Sequence, residues 1–453
     1  MRMAALRVAI VGAGPSGIYA AEALSSLPDL VVDVDIFDAL PVPFGLVRYG
    51  VAPDHTSIRG VRDTLDKTLN NEGVRFFGNV RVGVDISLNE LSDDYDAVLL
   101  TYGASSDQHL GVPGEEHKGS IPATELVSWY CGNPDAQRTL IEDSIRGVSS
   151  VVVIGVGNVA VDVARILVKA PGALDETDMP QHVLDVLSNT DITDVHIVGR
   201  RGPAQASFTT KELRELGELS GVEVLVDPDD LDMDAISLET IASNKVAARN
   251  VEVLREWSSR APQNLPRRLH FHFFRRPLEL IGANAVEGVV LERTEFGEDG
   301  QLRGTGSTEE IAAQLVVRSV GYRGVPIVGI ELDERSGTIP NNAGRVTREG
   351  MVVPGIYVAG WIKRGPSGII GTNKKCAVAT VDALLADYAD GSLPARAGAG
   401  SIVSLLEERE IDFSTTQSWR NVDIAERELG QSRGRERTTI HERSDLLVVG
   451  RNG

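Results

Sequence analysis

Cysteine is scarce in this sequence, and its scarcity argues against several classes of protein. The chain has two cysteines, Cys131 and Cys376, which lie far apart and form no C-x-x-C pair. A disulfide framework, a dithiol redox centre and a cysteine-bound zinc or iron–sulfur cluster all need more cysteines or a closer spacing. We therefore expect no disulfide chemistry and no metal site.

Long apolar runs and an excess of positive charge are also lacking. No apolar run reaches the ~18 residues that a membrane span needs, so no span is expected. The N-terminal residues lead into an apolar strand without a signal-peptide pattern, and we expect a cytoplasmic protein. A formal net charge of −20 argues against a general nucleic-acid binder, whose phosphate contacts need a basic surface, although local basic patches remain compatible with it.

Glycine, by contrast, is abundant, and the chain is long. At 453 residues the chain is longer than a domain with one ordinary hydrophobic core, so two domains are expected. The 46 glycines predict frequent tight turns and close backbone approaches. Two stretches stand out, "RVAIVGAGPSGIYA" at 7–20 and "SVVVIGVGNVAVDV" at 150–163. In each, glycines at matching spacings separate an apolar run from an Ala-rich amphipathic segment.

The first stretch predicts a dinucleotide-binding turn. An apolar strand at 6–11 ends in Gly12-x-Gly14-x-x-Gly17, and a helical run follows. Gly12 permits the tight turn, Gly14 lets a pyrophosphate approach the backbone, and Gly17 lets helix and strand pack closely. The next strand ends at Asp38, whose carboxylate is placed to accept hydrogen bonds from the ribose of a cofactor such as FAD. The predicted FAD contacts in the turn are Gly12, Gly14, Pro15, Ser16 and Gly17.

The second stretch predicts a site for a different nucleotide. Its strand ends in Gly155-x-Gly157-x-x-Ala160, in which alanine is an accepted variant of the third glycine. The following strand ends in Arg200 and Arg201, where a ribose-binding acid would otherwise stand. Two guanidinium groups suit a 2′-phosphate, which indicates NADP rather than NAD. The arginines follow the glycines at a longer distance than usual, across a predicted inserted helical segment.

A later glycine-rich segment predicts a return to the first domain. The apolar strand at 356–359 meets Gly360 and Trp361, and we expect the next helix to begin near residues 372–373. A helix N-terminus aimed at a flavin would stabilise negative charge on the reduced ring. Trp361 could pack on the cofactor or in the core. The predicted fold is α/β, with two Rossmann-like domains and the NADP domain inserted into a discontinuous FAD domain. The predicted boundaries are 1–105 and 324–453 for the FAD domain and 106–323 for the NADP domain.

Motifs along almost the whole chain resemble those of one known family. They read "VGAGPSG", "PVPFGLVRYGVAPDH", "FFGNVRVG", "VIGVGNVAVDVARIL", "VGRRGPAQASFTTKELREL", "LVVRSVGYRG" and "GWIKRGPSGIIGTNKK", in this order. The chain resembles the adrenodoxin reductase family of ferredoxin–NADP reductases, and its actinobacterial members in particular. The resemblance implies an oxidoreductase in which FAD takes a hydride from NADPH and passes single electrons to a small acidic iron–sulfur ferredoxin.

The resemblance also implies individual site residues. Further FAD contacts are implied at Leu46, Val82, Trp361, Gly368, Ile369 and Ile370. NADP contacts are implied at Gln108, Gly155, Gly157, Asn158, Val159, Arg200, Arg201, Glu212 and Gly368. Three polar residues, His55, Asp162 and Glu215, resemble groups near the nicotinamide–flavin junction and are the candidate catalytic residues. The chain departs from the family pattern at Val156, where asparagine is frequent, at Gln108, where arginine is common, and at Asp38, which replaces glutamate.

Plainer interpretations of the three polar residues stay open. A histidine in a proline-rich loop, such as His55, is often only structural. Asp162 and Glu215 could be surface carboxylates on helices, and Glu215 follows Lys211 at helical spacing.

Basic residues cluster against the acidic background and predict a docking surface for the ferredoxin. Residues 244–276 carry several lysines and arginines with few acids, and a second cluster without acids flanks the glycine-rich loop after residue 360. Acidic ferredoxins would be steered by such patches, although a solvated helix face would look the same. The candidate docking residues are Lys245, Arg249, Arg255, Lys363, Lys374 and Lys375.

The C-terminal segment predicts structural elements rather than a catalytic site. Residues 401–430 predict helices whose Trp419 and Val422 pack back on the FAD domain, and "SDLLVVGRNG" predicts a final short strand or extended strap.

The alternative functions are an NADPH-dependent flavin monooxygenase and an electron-transfer subunit of a larger complex. We expect a monomer or weak dimer.

Overall fold

The computed structural model describes residues 5–396 and 400–452. Its strands are, in chain order, β1 (Leu6–Val11), β2 (Val32–Asp38), β3 (Val74–Gly78), β4 (Ala97–Leu100), β5 (Ser106–Asp107), β6 (Ser120–Pro122), β7 (Ser150–Ile154), β8 (Asp194–Val198), β9 (Val222–Val226), β10 (Arg267–His272), β11 (Arg275–Ile281), β12 (Gly288–Phe296), β13 (Leu302–Ala312), β14 (Leu315–Arg318), β15 (Tyr322–Arg323), β16 (Asn341–Asn342), β17 (Arg345–Arg348) and β18 (Met351–Val358).

The helices lie mostly between these strands. They are, in chain order, α1 (Pro15–Ser25), α2 (Leu46–Tyr49), α3 (Thr56–Arg59), α4 (Val61–Thr68), α5 (Leu88–Asp94), α6 (Ala123–Tyr130), α7 (Arg138–Ile145), α8 (Asn158–Val168), α9 (Gln181–Ser188), α10 (Thr210–Leu216), α11 (Ala235–Ser243), α12 (Lys245–Ser258), α13 (Trp361–Arg364), α14 (Ile370–Ala389), α15 (Ile402–Glu408), α16 (Thr416–Ser432) and α17 (Arg443–Arg451). Helix α9 lies in the predicted inserted segment. Within the described ranges, no helix has the length and apolar character needed to cross a membrane.

The chain folds as two compact units. The first contains the residues up to Ser106, the segment Cys131–Asp135 and the residues from Tyr322 onward. The second contains Asp107–Tyr130 and Ala136–Gly321. One α/β unit is therefore inserted into the sequence of another, which confirms the predicted fold class.

The first unit is built on a sheet with strand order β16-β17-β18-β4-β1-β2-β3. The strands from β18 to β3 are parallel, and β17 and β16 add an antiparallel edge. Strand β1 is apolar almost throughout and buried, as expected for a strand that is covered on both faces. Because the chain passes from β1 to β2 and β3 on one side and to β4 on the other, β1 lies at a switch point. Ligands of open α/β sheets bind at the carboxyl end of such a point.

The second unit repeats this arrangement. Its sheet has the order β6-β14-β7-β8-β10-β9, and all its pairs are parallel. Strand β7, with Val151, Val152 and Val153 fully buried, has β8 on one side and β14 on the other. An antiparallel meander of β11, β12 and β13 packs its own apolar residues, such as Val289 and Leu291, in a core with β7. Each unit thus places a glycine turn at its own switch point.

Helix α16 packs on the first unit, as the sequence predicts. Trp419 and Val422 are buried. The Trp419 ring meets the Phe44 ring edge-on at 5.2 Å, and its Nε1 donates to Asp66 Oδ1 at 2.8 Å. The helix is therefore part of the fold rather than a loose tail.

The predicted final strand is wrong, because the segment forms helix α17. The β-branched Val448 and Val449 favour a strand locally, but packing against α16 decides the structure. The Gly450 carbonyl accepts from Asn421 Nδ2 at 2.8 Å, and Leu446 is buried. A side chain at position 450 would have its Cβ only 3.0 Å from Ser418 Cβ, so glycine lets the two helices approach closely.

A fully buried carboxylate joins α16 to the start of the first unit. Glu426 is 0% exposed and accepts from Arg48 Nη1 at 3.0 Å, from Arg437 Nη1 at 2.6 Å and from the backbone N–H of Ile440 at 2.8 Å. Burial alone would raise the pKa of Glu426, but the charges and hydrogen bonds of Arg48 and Arg437 lower it. The carboxylate stays ionised and holds two buried guanidinium groups.

Removing the charge of Glu426 should destabilise the first unit. We expect Glu426→Gln to lower the free energy of unfolding by about 3–5 kcal/mol, because it removes the counterion of the buried Arg48 and leaves Arg437 with Asp423 alone. Glu428→Gln is the matched control on the exposed face of the same helix, and should change it by less than about 0.5 kcal/mol. Urea unfolding of both variants measures this, and equal small effects would contradict the expectation.

Candidate cofactor-binding sites

The glycine turn of the first unit has the geometry that the sequence pattern requires. Gly12 has φ +110° and donates its N–H to the Phe37 carbonyl at 2.7 Å. A Cβ on Gly17 would lie 2.0 Å from the Gly12 carbonyl oxygen, so helix and turn are in direct backbone contact. At Gly14 a Cβ would meet nothing within 4 Å. The turn is therefore tightly packed at Gly12 and Gly17 and open at Gly14. This fits a pyrophosphate bound at the start of α1.

Asp38 lies at the end of β2 beside this turn. Its Oδ2 accepts from the backbone N–H of Ala13 at 2.7 Å and its Oδ1 from that of Leu40 at 2.9 Å. Burial raises the pKa of Asp38 to about 6, although these two N–H groups favour the ionised form. The carboxylate is thus fixed next to the open space, with lone pairs left for a ribose.

The glycine-rich loop after β18 lies against the same turn. Ser16 Oγ is 3.2 Å from Asn373 Oδ1, which also accepts from Arg364 Nη2 at 2.8 Å. Gly360 has φ +77°, and a Cβ there would be 2.3 Å from Ser16 Oγ. Helix α14 begins at Ile370, two residues earlier than expected. Residues from the two ends of the chain therefore build one site.

Three of the predicted FAD contacts, Leu46, Trp361 and Ile369, have large apolar side chains. Leu46 begins α2 directly after Gly45, and a Cβ on Gly45 would be 3.1 Å from Gly14 Cα. Ile369 is 69% exposed although it is large and apolar. Trp361 lies 5.8 Å from the Tyr322 ring, and its Nε1 is buried without a hydrogen-bond partner in the described part of the chain. An exposed isoleucine and an unsatisfied indole N–H fit a flat polar–apolar group such as a flavin.

Of the remaining predicted FAD contacts in the first unit, Val82 is buried and Gly368 has φ +81°. A residue that the sequence analysis missed is Thr101. Its Oγ1 donates to the carbonyls of Val11 and Gly12 at 3.0 and 2.9 Å and would be 2.8 Å from a Cβ on Gly17. Thr101, directly after β4, thus supports the turn. The sequence does not show this contact, because it depends on the pairing of β4 with β1.

The second unit has a comparable turn. Gly155 has φ +139° and donates its N–H to the Val198 carbonyl at 2.9 Å. A Cβ there would lie 2.1 Å from the Ser319 carbonyl oxygen. Val156 packs on Gly199, since a Cβ on Gly199 would be 2.7 Å from Val156 Cγ1. The side chain that departs from the family pattern is therefore engaged in packing at the end of β8.

Two predicted NADP contacts are joined through Thr209. Asn158 Oδ1 accepts from the Thr209 backbone N–H at 2.9 Å, and Thr209 Oγ1 donates to Glu212 Oε2 at 2.5 Å. Asn158 and Val159 form the first residues of α8, and Glu212 is buried in the first turn of α10. The structure thus brings Asn158 and Glu212 together through a link that no sequence motif indicates.

Arg200 and Arg201 follow β8 and are exposed. Within the described residues, neither has an acidic partner. Partial desolvation of the guanidinium, followed by the charge of the neighbouring Arg200, lowers the pKa of Arg201. Gln108 donates its backbone N–H to the Gly321 carbonyl at 2.9 Å, just beyond β14. Two unpaired guanidinium groups at this end of the sheet fit a phosphate.

Asp162 and Glu215 lie near one buried arginine. Arg165 Nη1 is 2.7 Å from Asp162 Oδ1 and 3.9 Å from Glu215 Oε2, and Glu215 also lies 3.8 Å from Lys211 Nζ. The surface ion pair expected from helical spacing is present, and Arg165 is the additional residue that the sequence analysis missed. The Asp-x-x-Arg spacing was the only available signal.

His55 belongs to the other unit. It is buried and immediately precedes α3. Its backbone N–H donates to the Ala52 carbonyl at 2.9 Å, and its carbonyl accepts from Ile58 and Arg59 at 3.1 and 3.0 Å. The backbone of His55 therefore stabilises the turn that leads into α3, and this role does not involve its imidazole ring.

The basic residues differ in how far they are neutralised. Lys245, Arg249 and Arg255 are exposed on α12, and no ion pair to them occurs in the described ranges. Other members of the cluster are paired: Arg260 with Glu256, Arg268 with Asp194, Arg275 with Asp230, and Arg276 with Glu292. The second cluster is not free of acids.

In that second cluster, Lys374 pairs with Glu22 at 2.9 Å, an acid from α1 that sequence distance hid. Lys363 Nζ donates to Thr380 Oγ1 at 3.0 Å, and Lys375 is exposed. Among the predicted docking residues, therefore, the three on α12 and Lys375 keep their charges most available.

Comparisons with known proteins agree with this geometry. A family model described as pyridine nucleotide-disulphide oxidoreductase matches residues 6–227. The chain is 44% identical to the NADPH-ferredoxin reductase FprA of Mycobacterium tuberculosis, with 98% of each chain covered. It is 37% identical to the mitochondrial NADPH:adrenodoxin oxidoreductase of Arabidopsis thaliana, with 99% of this chain and 96% of that protein covered.

A solved structure extends the agreement to the fold. The structure of Mycobacterium tuberculosis FprA in complex with NADPH matches with a TM-score of 0.92 and 44% identity, covering 99% of this chain and 100% of that one. Identity at this level over full length, on the same fold, establishes common descent. This chain belongs to the adrenodoxin reductase-type family of ferredoxin–NADP reductases.

Proposed function

We propose that this protein is an NADPH:ferredoxin oxidoreductase that holds FAD in the first unit and NADP(H) in the second. The observation that carries the proposal is the contrast between the two glycine turns. The first is followed by the fixed carboxylate of Asp38, and the second by Arg200 and Arg201, which have no acidic partner among the residues that the structure describes. A carboxylate accepts hydrogen bonds from the hydroxyls of an unphosphorylated ribose and repels a 2′-phosphate, whereas two guanidinium groups attract a 2′-phosphate.

In the first unit, each residue has a distinct binding task. The backbone around Gly14 and the N-terminus of α1 receive the pyrophosphate, and Asp38 accepts from the ribose hydroxyls. Leu46, Val82, Trp361 and the loop from Gly368 to Ile370 enclose the ring system. When bound, FAD supplies hydride acceptance and single-electron release, chemistry that side chains lack. The N-terminus of α14 places partial positive charge at the loop and favours the anionic reduced state.

In the second unit, Arg200 and Arg201 bind the 2′-phosphate, and Gly155 and Gly157 admit the pyrophosphate. Asn158 is oriented by Thr209. Since Val156 packs on Gly199 and Gln108 replaces an arginine, the phosphates rely more on these two arginines than the family pattern would require.

The three polar candidates act by positioning. Arg165 holds the carboxylates of Asp162 and Glu215 in place, so that they present fixed negative charge to the nicotinamide side of the site. His55, held by its backbone in the first unit, is assigned to the flavin side. The partner is a small iron–sulfur protein, and we propose that it is acidic and docks on the exposed cations of α12.

FAD retention should depend on pH through Asp38. The ionised carboxylate is the form that accepts from two ribose hydroxyls, and burial raises the pKa of Asp38 to about 6. FAD affinity should therefore be full at pH 7.5 and fall as the pH drops through about 6. The increase in FAD fluorescence on release, measured between pH 7.5 and 5, reports this change.

Asp38→Asn separates this effect from general acid sensitivity. We expect the variant to bind FAD about 10-fold more weakly at pH 7.5, because charge-assisted hydrogen bonds are lost, and to show no further loss down to pH 5. A variant whose FAD release kept the wild-type pH dependence would show that another group titrates. Circular dichroism at each pH verifies that both proteins remain folded.

Arg200 and Arg201 should select NADPH over NADH. We expect Arg200→Ala and Arg201→Ala each to weaken NADPH binding about 10–100-fold and to leave the NADH response unchanged, because NADH has no 2′-phosphate. Anaerobic titration of the flavin absorbance with each nucleotide measures this. Arg303→Ala, at an exposed arginine of β13 paired with Asp299, is the control. Equal losses for NADPH and NADH would overturn the role in phosphate recognition.

Charge reversal on α12 should impair ferredoxin-dependent turnover alone. We expect the double variant Lys245→Glu and Arg249→Glu to lower kcat/KM for an acidic ferredoxin at least about 10-fold at low salt and to flatten its salt dependence. NADPH-driven flavin reduction should be unchanged. Arg420→Glu with Arg433→Glu, two exposed positions on or next to α16, makes the same change in net charge and should leave turnover intact. A parallel loss in flavin reduction would contradict docking.

A further inference from the structure

Three histidines lie side by side on the parallel sheet of the second unit. His196 is on β8, and His270 and His272 are on β10, with His270 directly opposite His196 in the strand register. Side chains alternate along a strand, so His270 and His272 share one face while Leu269 and Phe271 are buried on the other. The three rings are partly exposed. None of them has a task in the nucleotide sites.

Their ring nitrogens are close to the spacing of metal ligands. His196 Nδ1 is 3.0 Å from His272 Nε2, and one nitrogen from each of the three rings lies within 4.8 Å of the others. Zinc binds imidazole nitrogen at about 2.0–2.1 Å, so two ligands of a tetrahedral ion stand roughly 3.3 Å apart. The His196 and His270 rings stack with 13° between their planes, so binding requires the partly exposed rings to rotate until their lone pairs point toward one ion.

A carboxylate orients one of the rings. His270 Nε2 is 2.9 Å from Asp194 Oδ1, and Asp194 also pairs with Arg268 at 2.7 Å. With its proton on Nε2, His270 keeps the lone pair on Nδ1. Metal-binding histidines commonly donate their other ring N–H to a carboxylate in this manner.

The rings are available in the neutral form. Burial, followed by the neighbouring histidines, lowers the pKa of His196 to about 3 and that of His272 to about 4. Burial also lowers the pKa of His270 despite the opposing effect of Asp194. A hydrogen bond between His196 and His272 would account for their 3.0 Å separation, but it gives no role to the third ring or its carboxylate.

We propose that His196, His270 and His272 bind a divalent transition-metal ion, with Zn²⁺ as the expected occupant. Three neutral imidazoles are a frequent zinc ligand set and leave a fourth position for water. Asp194 serves as the outer partner that fixes His270. The inference is independent of the proposed oxidoreductase function, because no histidine of the set belongs to either nucleotide site.

Zinc titration of the full-length, FAD-loaded protein tests the site. After treatment with a chelator and its removal, Zn²⁺ is added in competition with a chromophoric chelator. We expect one equivalent to bind. His196→Gln and His272→Gln should each weaken binding at least about 100-fold, and Asp194→Asn about 10–100-fold. His109→Gln, at an exposed histidine outside the set, is the matched control and should bind as the wild type does.

Two results would overturn the proposal. One is the absence of a stoichiometric Zn²⁺ equivalent in the wild type, and the other is unchanged binding in the His196→Gln and His272→Gln variants. If those variants fail to fold, zinc X-ray absorption of the wild type decides: three imidazole nitrogens at about 2.0–2.1 Å support the site, and fewer than three refute it. FAD absorbance recorded in parallel keeps this outcome separate from that of the oxidoreductase proposal.

Discussion

Both nucleotide turns depend on a contact of backbone with backbone that only glycine permits. At Gly17 a Cβ would meet the Gly12 carbonyl oxygen at 2.0 Å, and at Gly155 it would meet the Ser319 carbonyl oxygen at 2.1 Å. No rotamer relieves such a clash, because the obstacle is main chain. In the first unit this contact lets α1 start close to the end of β1, with its free N–H groups facing the switch point; in the second unit it packs the turn against the residue that follows β14. We propose that charge rather than shape then decides which nucleotide each turn binds.

The charged groups that make this decision have different surroundings. Asp38 accepts hydrogen bonds from two backbone N–H groups, and burial raises its pKa. A carboxylate held in this way suits a cofactor that stays bound. Arg200 and Arg201 are exposed and carry no counterion in the described residues, so they suit a nucleotide that arrives from solvent and leaves again. Preorganised polar groups favour affinity, whereas solvated cations favour exchange. On the proposed function, one fold used twice thus serves a nucleotide that stays bound and a nucleotide that exchanges.

The sequence predicted the parts of this structure that local physics determines. The buried runs of β1 and β7, the glycine turns and the two-unit α/β class all follow from short-range patterns. Contacts between distant residues could not be predicted. Lys374 pairs with Glu22, the valines of α17 yield to packing against α16, and His196 meets His270 only because β10 inserts between β8 and β9. Strand order and helix packing are properties of the whole chain.

The contact between Ser16 and Asn373 has a consequence for how the protein is made. The first glycine turn leaves the ribosome early, yet the loop that closes over it is translated only after the entire second unit. The buried Glu426 that anchors Arg48 is translated later still. A nascent chain can therefore complete the second unit while the first remains open, and the flavin pocket becomes whole only near the end of synthesis. With FAD at the proposed site, cofactor capture is therefore expected to be a late event in biogenesis, because a chain interrupted after the second unit lacks Asn373 and the loop before it.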